Sequence, residues 1–124
     1  MLRRLQVTVE LVAASVEGVG ENCVKVVVTN VGWWRVTVTF FGLEFMGSKA
    51  MAGLAALPQL SSDSPLPVRL ARGEAVHRSF ALRDVSTRLT QRIGAWTESA
   101  LYGCCTDAAA RVYRSEVWRF TPFN

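Results

Sequence analysis

Three segments of this chain alternate apolar and polar residues, and this alternation restricts the fold more than any other feature. The segments are 5–11, 24–29 and 35–40. Side chains point to opposite faces at successive positions of a β-strand, so a period of two places the apolar residues of each segment on one face. Such a strand has one face on a core and the other in solvent. We therefore expect antiparallel sheets that share a core.

Two irregularities in the pattern predict where a strand bends and where a sheet ends. Near Gly42 the apolar positions change parity, since Phe41 and Leu43 fall in phase with Thr39. A β-bulge near Gly42 would shift the phase without exposing a row of large side chains. Pro67 has no N–H to donate to a neighbouring strand, so the short strand around it is expected at a sheet edge.

The spacing of the short strands predicts an all-β fold, an antiparallel β-sandwich of seven or eight strands. No long helical segments alternate with the strands, which argues against a parallel sheet. A short helix is expected in the crossover 46–60, where Met51, Leu54 and Leu57 are spaced like one helical face, and 83–89 would form a single helical turn. The expected strands include 5–11, 24–29, 35–40, 66–70, 75–82, 100–106 and 112–120.

Length and composition predict one globular domain. The chain has 124 residues, of which 50% are hydrophobic and 19% are charged. This length is typical of one domain and too short for two with a linker, so we expect residues 1–124 to form a single β-sandwich domain. No segment has the roughly 20 apolar residues that a membrane-spanning helix needs. The basic start, 1–5, leads into alternation rather than the apolar run of a signal peptide, so we expect a cytoplasmic protein that does not enter membranes.

Three stretches in order carry a resemblance to a known class of domains. They are 26–32 leading into 36–40, then 66–74, then 106–113. Together they resemble small immunoglobulin-like domains of uncharacterised bacterial and phage proteins, which implies an immunoglobulin-like sandwich and a bacterial or phage origin. Ala110 stands where the closing hairpin of that class has glycine. Sandwiches carry many functions, so the resemblance implies little about this one.

A second resemblance concerns a disulfide. Residues 98–104 read Glu-Ser-Ala-Leu-Tyr-Gly-Cys and are similar to a run in antibody variable domains, which implies a bridge between Cys23 and Cys104. Strand parity argues against it, because Cys23 faces away from the core if Val24 faces into it. In a reducing cytosol the three cysteines, including Cys105, are more simply interpreted as buried thiols.

The residue types needed for catalysis are present but not grouped. His77 is the single histidine, and it could serve Cys104 or Cys105 as a base only if the fold brought them together. A solvated histidine and two packing cysteines is the simpler interpretation. The carboxylates are scattered, and no phosphate-binding glycine loop or zinc spacing occurs. We therefore predict a protein that is not an enzyme and uses no cofactor or metal.

Two apolar features predict an interaction surface. Trp33 and Trp34 lie at a turn where strand parity would send the two rings to opposite faces, so one of them should be exposed. The segment 46–60 is apolar for a loop of its length, and it would be either a partner surface or a lid over an open edge of the sandwich. The candidate interaction surface consists of Trp33, Trp34, Met46, Met51, Leu54 and Leu57.

A basic patch supplies the alternative. The net charge is +4, and the last predicted hairpin carries Arg111, Arg114, Trp118 and Arg119, with Trp118 in phase with Arg114. These residues would suit a polyanion, with the indole as a stacking platform, although a solvated face with an exposed tryptophan is the simpler interpretation. The sequence thus predicts a non-catalytic interaction or structural module that binds a protein partner or a second copy of itself. The alternative is a ligand-binding module for carbohydrate or nucleic acid.

Overall fold

The structure is a computed structural model that describes residues 4–16, 19–45, 59–62, 65–93 and 99–121. These residues form nine strands and one helix. The elements are β1 (Leu5–Val16), β2 (Val19–Asn30), β3 (Val36–Phe45), β4 (Gln59–Ser62), β5 (Val68–Leu70), β6 (Ala75–Ala81), α1 (Leu82–Ile93), β7 (Ser99–Asp107), β8 (Val112–Arg114) and β9 (Trp118–Phe120).

The strands form two antiparallel sheets, which confirms the predicted all-β sandwich. One sheet has the order β1-β2-β6-β4, and the other has the order β5-β3-β7-β8, with β9 also paired to β7. The strand count exceeds the predicted seven or eight for two reasons. The segment expected as one strand over 112–120 is interrupted at 115–117, and Gln59–Ser62, at the end of the crossover, is a strand that the sequence did not predict. The strand after Pro67 does lie at an edge, as predicted.

The alternating residues of both sheets meet in one core. Val24, Val26 and Val28 of β2 are fully buried, and they share the core with Val38 of β3 and Leu101 of β7. Alternation therefore predicted the inward face correctly, because the side-chain period of a strand is local geometry. Burial of such side chains contributes about 1.5–3 kcal/mol each, which makes this core the main source of stability.

The predicted phase change in β3 occurs, but it lies three residues before Gly42. The pairing of β3 with β7 shifts between Val38 and Phe40, and Gly42 pairs regularly with Cys104. Val38 and Phe41 are therefore both fully buried despite their opposite parity. The extra residue at Thr39 accounts for the switch, since a bulge moves one strand by one position against its partner.

At Gly103 on β7 the two sheets approach each other closely. A Cβ atom at this position would lie 2.9 Å from Cγ2 of Val9, 3.0 Å from Cγ1 of Val7 and 3.2 Å from Cγ1 of Val26. These separations are shorter than the 3.5–4.0 Å optimum for carbon atoms. Only glycine fits between the valines at this spacing of the sheets.

The helix is longer than the single turn that the sequence suggested. Leu82, Val85 and Leu89 recur at helical spacing, and α1 contacts β2 and β6. Val85 and Leu89 are fully buried within the core cluster, while Asp84 in the first turn interacts favourably with the helix dipole. No helix in the described part of the chain is long and apolar enough to cross a membrane.

One predicted feature lies outside the described residues. Most of the crossover 46–60, with Met46, Met51, Leu54 and Leu57, belongs to the segment 46–58. Only Gln59 and Leu60 of the crossover are described, and both are in β4. The short helix and the apolar interaction surface expected in this segment stay predictions.

Candidate functional site

Four segments that are distant in sequence meet at one end of the sandwich. The backbone oxygen of Arg4, just before β1, accepts hydrogen bonds from the N–H groups of Val31 (2.9 Å) and Gly32 (3.2 Å). The N–H of Gly73, between β5 and β6, donates to the oxygen of Asn30 at 2.8 Å. We call the surface formed by Arg4 and the segments 31–35, 71–74 and 107–111 the tryptophan end.

The β7–β8 turn joins this end through the start of β3. The N–H of Ala108 donates to the oxygen of Thr37 at 3.0 Å. Asp107 organises the turn, because its Oδ1 accepts from the N–H groups of Ala109 (2.9 Å) and Arg111 (3.0 Å). Asp107 is itself buried, so its carboxylate serves the turn rather than a ligand.

Buried Asn30 anchors the loop that carries the two tryptophans. Its side-chain amide donates to the backbone oxygens of Trp34 (2.8 Å) and Leu70 (2.9 Å). Its Oδ1 accepts from the N–H of Gly32 at 3.0 Å. Asn30 is completely buried, so these hydrogen bonds replace those that its amide would make with water. One side chain thus ties the loop 31–35 to both sheets.

Both tryptophans of the loop are exposed. The exposed fraction is 71% for Trp33 and 77% for Trp34. Strand parity predicted that the two rings would point to opposite faces, with one exposed; both are exposed because residues 31–35 form an irregular loop to which strand parity does not apply. The guanidinium carbon of Arg72 lies 3.7 Å from the ring centroid of Trp33, a cation–π contact that holds this indole in place.

Four arginines of the tryptophan end are exposed. They are Arg4, Arg35, Arg72 and Arg111. Within the described tryptophan end, Glu74 is the exposed carboxylate, and its Oε1 already accepts from the N–H of Ala71 at 2.6 Å. The end of the sandwich therefore combines two exposed aromatic rings with an excess of positive charge.

The structure separates the predicted basic patch. Arg111 belongs to the tryptophan end, whereas Arg114, Trp118 and Arg119 lie on other strands. Trp118 does not share a face with Arg114, because β8 ends at Arg114 and a new strand begins at Trp118. Trp118 packs against the core and stacks on Phe120 with 5.1 Å between ring centroids. It is therefore not the exposed stacking platform that the continuous alternation suggested.

Arg114 belongs instead to a small polar cluster on the outer face of the second sheet. Its Nε lies 3.6 Å from Oε2 of Glu44, and its guanidinium carbon lies 5.4 Å from the ring centroid of Tyr102. Burial, with a smaller contribution from Glu44, raises the pKa of the Cys104 thiol to about 12. A thiol in this state is a poor nucleophile at neutral pH, so the cluster supplies an ion pair and no reactive sulfur.

His77 and the cysteines do not come together. His77 is on β6 of the first sheet, while Cys104 and Cys105 are on β7 of the second. His77 has the parity opposite to Val76 of the core, and Cys104 has the parity opposite to core residue Cys105, so His77 and Cys104 face away from each other across both sheets. Burial also raises the pKa of Cys105 to about 12. All three cysteines are buried thiols, as predicted, and none forms a disulfide.

Two residues that organise the tryptophan end, Asn30 and Arg72, were not among the residues predicted from the sequence. A strand that ends in Asn-x-Gly and continues into two tryptophans is a sequence signal for Asn30, since an asparagine side chain can form hydrogen bonds with the backbone of a neighbouring loop. Nothing local in the sequence indicates that Arg72 would lie over Trp33.

Two solved structures share the fold. The FixG-related protein from Vibrio parahaemolyticus superposes with a TM-score of 0.52 at 13% sequence identity, covering 97% of this chain and 97% of that one. The secreted serine protease VesC from Vibrio cholerae superposes with a TM-score of 0.50 at 12% identity, covering 91% of this chain and 22% of the protease. No protein-family model and no curated protein sequence matches the chain. At this level of identity the likeness supports a common sandwich architecture and says nothing of activity.

Proposed function

We propose that this chain is a non-catalytic binding module that contacts a protein partner through the tryptophan end. The observation that carries the proposal is the exposure of Trp33 (71%) and Trp34 (77%) on a loop anchored by buried Asn30. Exposing the large apolar ring of an indole to water is unfavourable in free energy. Tryptophan is enriched among the residues that contribute most to binding at protein interfaces.

The anchoring of the loop supports this function as much as the exposure does. A flexible loop would lose conformational entropy on binding, which costs about 0.5–1.5 kcal/mol for each side chain that becomes ordered. Here the amide of Asn30 holds the backbone of Trp34, and Arg72 holds the ring of Trp33. The surface is therefore organised before a partner arrives.

The experiment is an affinity capture with matched variants. Trp33→Ala and Trp34→Ala should each release a partner that the wild-type chain retains, whereas Val117→Ala should retain it, because Val117 is an exposed apolar residue (47%) outside the tryptophan end. Replacing a tryptophan at the centre of an interface typically reduces the binding free energy by about 2 kcal/mol or more, which corresponds to roughly thirtyfold weaker binding. Equal retention by all four proteins would contradict the proposal.

A second candidate is favoured by the arginines. Single-stranded nucleic acid is bound by aromatic rings that stack on bases beside guanidiniums that neutralise phosphates. The tryptophan end presents both groups, with Arg4, Arg35 and Arg111 exposed at the same end of the sandwich as the indoles. Fluorescence anisotropy with a labelled oligothymidine should then show binding that weakens as salt rises and that Arg35→Ala and Trp34→Ala reduce. Absence of binding at 50 mM salt would exclude this candidate.

We infer in addition that the sandwich is immunoglobulin-like and that the protein is a cytoplasmic one of bacterial or phage origin. Strand order supports the first inference, since β1-β2-β6-β4 and β3-β7-β8 correspond to the ABED and CFG sheets of such domains, with β5 added beside β3. Three buried thiols support a reducing compartment. The origin rests on the sequence resemblance alone, and the genomic neighbourhood of the coding sequence would test it.

A further inference from the structure

The outer edge of β1 is unpaired among the described strands. β1 ends the first sheet and pairs with β2 alone. The oxygen of Arg4 accepts from the N–H of Val31, and hydrogen-bonding direction alternates along an antiparallel strand. Even-numbered residues of β1 therefore bond to β2, and the odd-numbered residues from Leu5 to Leu11 direct their N–H and C=O groups to the free edge.

This edge lacks the usual protection against strand pairing. Natural edge strands are typically short, or carry lysine, proline or a bulge. β1 has twelve residues (Leu5–Val16), pairs with β2 in one unbroken register, and carries Glu10 as its only charged residue. A cleft of about 630 Å³ runs beside it, between residues 6–9 of β1 and residues 114–118 of the other sheet. Among the described residues, this cleft leaves the edge open to another strand.

The sequence of the exposed edge is chemically symmetric about Thr8. Residues 5–11 read Leu-Gln-Val-Thr-Val-Glu-Leu, so equal distances on either side of Thr8 carry residues of the same class. We propose that β1 pairs antiparallel with β1 of a second copy, with the twofold axis at Thr8. A twofold interface brings the same surface patch of both copies together, and this segment meets that requirement residue by residue.

The register matches the backbone groups as well as the side chains. With the axis at Thr8, Val7 faces Val9 of the second copy and Leu5 faces its Leu11. These are the odd-numbered residues whose N–H and C=O groups point to the free edge, so each pair exchanges two hydrogen bonds. The two Thr8 side chains form the closer, non-hydrogen-bonded pair, where threonine hydroxyls interact favourably.

Two observations favour this occupant over an unrelated strand. Leu11 is 60% exposed although Leu5, its counterpart, is buried, and the proposed register would cover Leu11 with Leu5 of the second copy. Glu10 would face the amide of Gln6 rather than a second carboxylate. An axis at Glu10 itself would instead bring two carboxylates together, which is unfavourable for directly opposed positions.

Substitution at exposed Gln6 tests the register. Gln6→Glu places a carboxylate opposite Glu10 of the second copy, and Gln6→Lys places an ammonium there, while the partner of Gln6 in its own chain, Thr29, is neutral in both cases. Each contact occurs twice, so sedimentation equilibrium should show a dimer weakened about tenfold by Gln6→Glu and strengthened by Gln6→Lys. The double variant Gln6→Glu/Glu10→Gln should restore the wild-type dissociation constant.

The outcomes separate this interface from the tryptophan end. A dimer that is lost in Trp33→Ala and indifferent to Gln6→Glu would overturn the β1 interface, and so would equal effects of Gln6→Glu and Gln6→Lys. If the wild-type chain stays monomeric to roughly 1 mM, the edge takes a foreign strand or none, and the proposal is wrong. Failure of the partner capture leaves this test unaffected, because the two surfaces share no residue. Far-UV circular dichroism confirms that each variant is folded.

Discussion

Replacing Asn30 with aspartate tests how the fold holds the tryptophan loop. Asn30→Asp keeps the size of the side chain and its acceptor for the N–H of Gly32, but it removes the donor to the oxygens of Trp34 and Leu70. Each lost bond leaves a carbonyl without its partner in a site where Asn30 is fully buried. Losing a buried partner costs about 1–2 kcal/mol, so the free energy of unfolding should fall by about 2–4 kcal/mol at neutral pH. That is a large part of the 5–15 kcal/mol typical of a domain.

Urea unfolding followed by circular dichroism measures the fall, with Asn22→Asp as the matched control. Asn22 is exposed, so the same chemical change there should alter stability by less than about 0.5 kcal/mol. Hydrogen exchange should also show faster exchange in residues 31–34 for Asn30→Asp. If both variants unfold within 0.5 kcal/mol of the wild type, or if the loop exchanges as before, the anchoring role of Asn30 is refuted.

Three further predictions concern packing, backbone strain and thiol chemistry. Gly103→Ala should lower stability by about 1–3 kcal/mol, because its Cβ would lie 2.9 Å from a valine methyl carbon of the other sheet. At Gly42 an added Cβ would lie 3.4 Å from its nearest neighbour, Cζ of Phe40. Gly42→Ala should therefore lower the free energy of unfolding, measured with urea, far less. Ala110→Gly should raise the free energy of unfolding by about 1 kcal/mol, because a φ of 64° strains alanine and not glycine. The midpoint of thermal unfolding should rise accordingly, and an unchanged midpoint would contradict this. Burial raises the pKa of Cys104 and Cys105 from 9.0 to about 12, so their stabilising contribution is complete below pH 9 and is lost as pH rises towards 12. Iodoacetamide at pH 8 should therefore label both thiols only after unfolding, and labelling of the native protein would show that they are accessible.

Some residues of the candidate site were predictable from the sequence and others were not. The adjacent tryptophans at a turn indicated an interaction surface, and the structure places both indoles in solvent. Trp118 was interpreted as a surface residue because alternation was continued through 115–117, where the strand is in fact interrupted. The interruption shifts the pairing with β7 by one residue, and such a shift places every later side chain on the opposite face. A period continued across the interruption therefore assigned Trp118 to the wrong face.

What the sequence determined by itself is the inward face of the strands that alternate without a break, such as β2. Val24, Val26 and Val28 had to share a side, because alternation is a property of the extended backbone and needs no neighbour. The assembly of the tryptophan end depended on the order of strands in the two sheets. Arg72 lies over Trp33, and Arg111 lies at the same end of the sandwich, because the β5–β6 and β7–β8 connections both return to that end. Such long-range proximity is decided by packing, which no local period records.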